Sequence, residues 1–139
     1  DNGGLEGWNY ALGSAHFVQR LAEDELRCSA PSVVVYLDMV GSARGRLTVI
    51  SPETPALEKA LEETAERIGY SSAFIGPRIR DDTDALTHFG VIGTPAVLIA
   101  EPDYEYRHTL SDTPDKIVSS TLQRTGDILK AWLERGAQF

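Results

Sequence analysis

Two side chains in this 139-residue sequence stand where chemistry is most readily built: Asp38, directly after the apolar run 33–37, and His108, inside a polar loop. A third group is acidic, the cluster Asp81, Asp82 and Asp84 in another loop. Carboxylate oxygens together with an imidazole nitrogen form a donor set that zinc accepts while keeping a position for water. Spacing alone leaves a second reading open, because an Asp at a strand end also organises turns and helix starts. Other chemistries lack their signatures. The run Gly41-Ser42-Ala43-Arg44-Gly45 has neither the Lys-Ser/Thr ending of a phosphate loop nor the dinucleotide fingerprint. No Gly-x-Ser-x-Gly surrounds Ser14 or Ser42. The single Cys28 has no base near it in sequence and reads as a small buried thiol. His88 falls in a helical stretch and reads as a surface or packing residue.

The elements that would position these groups follow from pattern. Ser14 is placed to cap a helix running through Phe17, Val18, Leu21 and Leu26. Residues 33–37 are β-branched or aromatic without alternation, which predicts a strand covered on both faces, with Asp38 at its carboxyl end. Residues 47–50 predict a second strand, and Ser51-Pro52-Glu53-Thr54-Pro55 a turn and helix start. Leu57, Leu61, Ala65 and Ile68 recur at helical spacing, leaving Glu58, Glu62, Glu63 and Glu66 as the solvated face. Gly76-Pro77 marks a turn inside the loop 69–84. Residues 95–100 are apolar throughout and predict a third strand, and the loop 101–112 after it carries Tyr104, Tyr106 and His108. The last element is expected to be one helix, with Thr113 as N-cap, Pro114 in first position, Ile117, Thr121, Ile128 and Trp132 near one face, and an end near Gly136.

Strands alternating with helices predict an α/β fold: a mostly parallel sheet with helices on both faces, formed by residues 1–139 as a single domain. In such sheets ligands bind beyond the carboxyl ends of the strands, the edge to which Asp38 and the His108 loop both belong. A formal net charge of -8 excludes a sequence-independent grip on nucleic-acid phosphates. No apolar run approaches the roughly 20 residues of a membrane-spanning helix.

Three segments carry a family resemblance. Asp1-Asn2-Gly3-Gly4-Leu5-Glu6-Gly7-Trp8, continuing to Gly13-Ser14, resembles the segment of zinc-dependent aminopeptidases in which an acidic pair precedes a loop and a helix-opening Gly-Ser. Tyr36-Leu37-Asp38-Met39-Val40-Gly41 is similar to that family's strand ending in a metal-ligand Asp. Tyr104-Glu105-Tyr106-Arg107-His108, continuing to Asp112-Thr113-Pro114, resembles its last ligand loop. The family includes bacterial leucyl aminopeptidases and is related to glutaminyl cyclases.

The resemblance implies the zinc exopeptidase three-layer sandwich, of which the chain would be the C-terminal portion, and one or two zinc ions in the intact parent. It implies Asp38 as a ligand of one zinc, Asp1 and His108 as ligands of the other, and Asp82 or Asp84 facing a peptide substrate, of which Asp82 is carried over; Tyr104 and Tyr106 are placed by position either to line the pocket or simply to pack beside the loop. The general-base Glu would stand just before Asp1, with a His-x-Asp pair further upstream, so this chain alone is expected to be incomplete and inactive. The open sheet edge left by missing upstream strands predicts a homo-oligomer. The implied reaction is hydrolysis of an N-terminal peptide bond by a metal-activated water; a non-catalytic scaffold of the same ancestry and a glutaminyl cyclase are the alternatives.

Overall fold

The computed structural model describes residues 11–23, 29–76 and 84–139. Asp1, Cys28 and Asp82 lie outside them.

The chain runs α1 (Leu12–Ala22), β1 (Val34–Asp38), β2 (Thr48–Ile50), α2 (Pro55–Arg67), α3 (Asp84–Val91), β3 (Ala96–Ala100), a 3₁₀ turn (Pro114–Lys116) and α4 (Ser119–Glu134). The three strands form one sheet in the order β1-β3-β2. β1 and β3 are parallel, in a register that sets Val34 opposite Ala96 and Asp38 opposite Ala100. β2 runs antiparallel to β3, with Thr48 opposite Ala100.

β3 is the centre of the molecule, and all five of its residues are buried. Its side chains alternate between two cores, as strand geometry requires. Val97 and Ile99 join Leu47, Val49, Leu57, Leu61, Ile128 and Trp132 under α2 and α4. Ala96, Leu98 and Ala100 face Val18, Leu86 and Phe89 of α1 and α3. Helices therefore cover both faces of the sheet, the layering expected of a continuous apolar strand.

α2 starts at Pro55, whose fixed φ suits the first helical position. Glu58 departs from its expected place on the solvated face: one carboxylate oxygen accepts the Ser51 N–H at 2.6 Å and ties the helix to the strand before it. α4 buries Thr121, Thr125, Ile128 and Trp132, residues three or four apart on one stripe. The chain then turns at Gly136, at a φ of 80°, with the Ala137 N–H on the Trp132 carbonyl at 3.1 Å.

Three further local expectations are corrected. Ser14 is not a cap; Ala11 takes that position and the Ser14 hydroxyl donates back to the Ala11 carbonyl at 2.8 Å from within the first turn. β1 is not covered on both faces: Tyr36 is 37% and Leu37 45% exposed, because α2 packs on β2 and β3 and, among the described helices, only α3 reaches β1. The final helix is not continuous from Pro114. Ile117 and Val118 are extended, since Val118 donates its N–H to Gly41 at 2.7 Å and Ile117 bridges Ser42, two long-range contacts that outweigh helical continuation. Ile117 is consequently 57% exposed rather than on the buried face.

Candidate functional site

Asp38 closes β1, and its partner across the ladder, Ala100, closes β3. The ladder continues one step further, with the Glu101 N–H reaching the Asp38 carbonyl at 3.4 Å. The loop bearing His108 therefore leaves the sheet beside Asp38, at the carboxyl edge of the parallel pair, where α/β folds place their sites.

Both exits are bent in an unusual way. Met39, which follows Asp38, has a φ of 54°, and His108 has a φ of 59°. Left-handed backbone is disfavoured in residues with a Cβ, and it persists where surrounding contacts determine it, often at functional positions. Around His108 those contacts are consecutive turns: Arg107 N–H to Tyr104, Thr109 N–H to Tyr106 and Asp112 N–H to Thr109, each at 3.0–3.2 Å. The Thr109 hydroxyl adds a bond to the Tyr106 carbonyl at 2.7 Å. His108 itself is exposed, while Asp38 is half-buried.

The two tyrosines form the side wall of this loop. Their rings meet edge to face, 5.7 Å apart at 70°. The Lys116 ammonium lies over the Tyr106 ring at 5.1 Å and also pairs with Asp115. Hydrogen bonds from Lys116 and then Thr113 hold the Asp115 carboxyl below the usual carboxylate range. Tyr104 donates to Asp112 at 2.8 Å. Desolvation first, and the bond to Asp112 second, push its phenol up to about 12.

A raised phenol pKa means that the folded state favours the neutral, donating form. The stabilisation it brings is complete below pH 10.0, the ordinary tyrosine value, and is lost as pH rises through about 12. Absorbance titration should show a late-titrating component that vanishes in Tyr104→Phe and moves to lower pH in Asp112→Asn; an unchanged titration in both variants would contradict the assignment.

Asp38 and His108 are donors of the kind zinc takes, a carboxylate and an imidazole, on adjacent loops. By themselves they do not complete a site: among the described residues no group of three or more His, Cys, Asp or Glu comes together to hold a metal. Asp1 and Asp82, the other expected site residues, lie outside those residues. His88 is half-buried and hydrogen-bonded through Nδ1 to the Ser14 hydroxyl at 2.9 Å, a link between α3 and α1.

One buried pair has no motif in the sequence. Glu101 is completely buried, and one of its carboxylate oxygens accepts the Ser42 hydroxyl. Its only local signal was a lone charge between five apolar residues and a proline.

Comparison with known proteins supplies the context for this geometry. The chain matches Peptidase family M28 over residues 8–133. Among solved structures it is similar to the glutaminyl cyclase of Fimbriiglobus ruber, at 30% identity and a TM-score of 0.71, over 93% of this chain and 46% of that one. It is also similar to BSAP, a zinc aminopeptidase from Bacillus subtilis, at 26% identity and a TM-score of 0.67, over 91% of this chain and 32% of that one. A glutaminyl cyclase from an Acidobacteriales bacterium superposes with a TM-score of 0.76 over 93% of this chain and 47% of that one; at 24% identity this likeness speaks for the fold alone. The chain thus spans less than half the length of each. No curated protein matches it. Because the family match takes in nearly the whole sequence, including both loops that carry Asp38 and His108, the chain belongs to peptidase family M28.

Proposed function

We propose that the protein carrying this chain is a metal-dependent aminopeptidase, with Asp38 and His108 among its metal donors and Tyr104 and Tyr106 beside the peptide. The observation that carries this reading is the adjacency of the two loop exits, Asp38 ending β1 and the His108 loop leaving β3 directly opposite, in a chain of this family. A bound zinc supplies Lewis acidity toward a carbonyl and brings water toward neutral pKa. The chain's own part is positional. The Asp38 carboxylate and the His108 imidazole offer lone pairs from two backbone turns that the fold holds in left-handed conformation. Tyr104 and Tyr106 offer an aromatic wall, and Tyr104, with its proton committed to Asp112, stays neutral at physiological pH. Asp1 would be a further donor and Asp82 a substrate contact; no described residue is assigned the role of general base.

A second reading is favoured by one observation, the 30% identity with a glutaminyl cyclase. An assay of three substrates separates the two: an unblocked aminoacyl anilide, its N-acetylated form, and a peptide with N-terminal glutamine. Release from the unblocked anilide with none from the blocked one is the expected result. Ammonia and a pyroglutamyl peptide of undiminished length would replace the aminopeptidase by the cyclase, and no turnover of any substrate would favour a non-catalytic scaffold.

A further inference from the structure

The Glu101–Ser42 pair, fully buried and outside every role assigned above, joins the two loops of the site from within. Residues as polar as Glu are almost never completely buried unless they are paired. Here the pairing is partial. Ser42 has a full complement of bonds: its oxygen accepts the N–H groups of Arg44 at 3.2 Å and Gly45 at 3.3 Å, and its proton goes to Glu101 Oε2. Glu101 Oε1 is left buried with no hydrogen-bond partner among the described residues. An apolar side chain would spare the fold that orphan, so the carboxylate is costly to keep as mere filling.

What the pair connects is specific. Ser42 lies in the turn that follows Asp38, and Glu101 is the first residue of the loop leading to His108. The Glu101 N–H also reaches the Asp38 carbonyl. From the other side, the same turn is held by Val118 N–H on the Gly41 carbonyl and by Arg124 Nη2 on the Gly45 carbonyl at 2.6 Å. The 39–46 turn is therefore clamped between the start of the His108 loop and the segment that follows that loop, Val118 and α4.

The geometry points to Glu101 as a positioning residue: through Ser42 it fixes the turn after Asp38 against the loop of His108, and so sets the spacing of the two donors. This rests on the reading of Asp38 and His108 as site residues. Its test reads backbone positions rather than turnover, so that a chain which cleaves nothing still decides the point.

Amide resonances and hydrogen exchange would be recorded for the chain, for Ser42→Ala, for Glu101→Met, which fills the space without an acceptor, and for Ser42→Thr, which keeps the hydroxyl. Loss of a hydrogen bond to a carboxylate should speed exchange at the Glu101 and Val118 amides by about 10-fold to 100-fold. It should also move the resonances of Asp38, Met39 and residues 104–113, with Ser42→Thr close to the parent. Glu101→Met carries the test if Ser42→Ala does not fold. Changes confined to residues 42–46 and 101, with His108 and its neighbours unmoved in the folded variants, would overturn the proposal. A latch that behaves as expected in a protein inactive on all three substrates would leave the positioning intact and remove the peptidase reading alone.

Discussion

Replacing Gly76 by alanine is expected to cost about 3 kcal/mol of folding stability and to lower the melting temperature by roughly 10 °C. Gly76 is where the chain after α2 folds back on the start of β2, its N–H on the Leu47 carbonyl at 2.7 Å. A Cβ there would stand 2.2 Å from the Arg46 carbonyl oxygen and 2.8 Å from that of Leu47. Both obstacles are backbone, so no rotamer change relieves them, and moving apart breaks the bond that anchors the segment. Leu47 is itself fully buried in the core beneath α2 and α4, so the strain is transmitted to β2. Gly126, inside α4, is the internal control. Nothing lies within 4 Å of its added Cβ, and Gly126→Ala should stabilise by about 0.5–1 kcal/mol through helix propensity. Thermal melts of the two variants should move in opposite directions; a Gly76→Ala protein that melts with the parent would show that the 46–47 and 76 segments are not packed as described.

His108→Gly is expected to lower activity sharply while preserving the fold. Glycine accepts a φ of 59° without penalty, whereas a residue with a Cβ pays about 1 kcal/mol or more there. The melting temperature of the glycine variant should therefore equal or exceed that of His108→Ala. The lost imidazole should lower kcat/KM on the unblocked aminoacyl substrate by about 100-fold or more, the upper range seen when even the support of a metal ligand is removed. Full activity in the glycine variant would remove His108 from the site and leave the 104–113 turns as structure only.

Much of this organisation was legible in the residues, and the misses have common causes. The apolar run of β3 predicts a buried strand because no polar residue interrupts it, and the stripe through Thr121, Ile128 and Trp132 predicts the buried face of α4 because helical period alone places it. Asp38 could be set at a strand end for the same reason. The break at Ile117 and Val118 was not legible, since the partners that extend the chain there, Gly41 and Ser42, are more than 70 residues earlier. The direction of β2 was equally hidden, because a three-residue apolar strand reads the same either way. The Glu101–Ser42 pair spans 59 residues, and neither member shows a pattern that would name the other. Exposure of Tyr36 and Leu37 depends on which helices pack over β1, which composition does not encode. The family resemblance reached further than periodicity did, because it rested on three short segments in order, and the match over residues 8–133 bears that resemblance out.

Whether Asp38 and His108 hold metal is decided by the zinc content of the protein, measured by elemental analysis after dialysis against a weak chelator, beside Asp38→Ala and His108→Gly. Bound zinc is expected in the unsubstituted protein, with a marked loss in both variants while each remains folded. Zinc retained undiminished in both, or peptidase activity that survives complete removal of metal, would contradict that role.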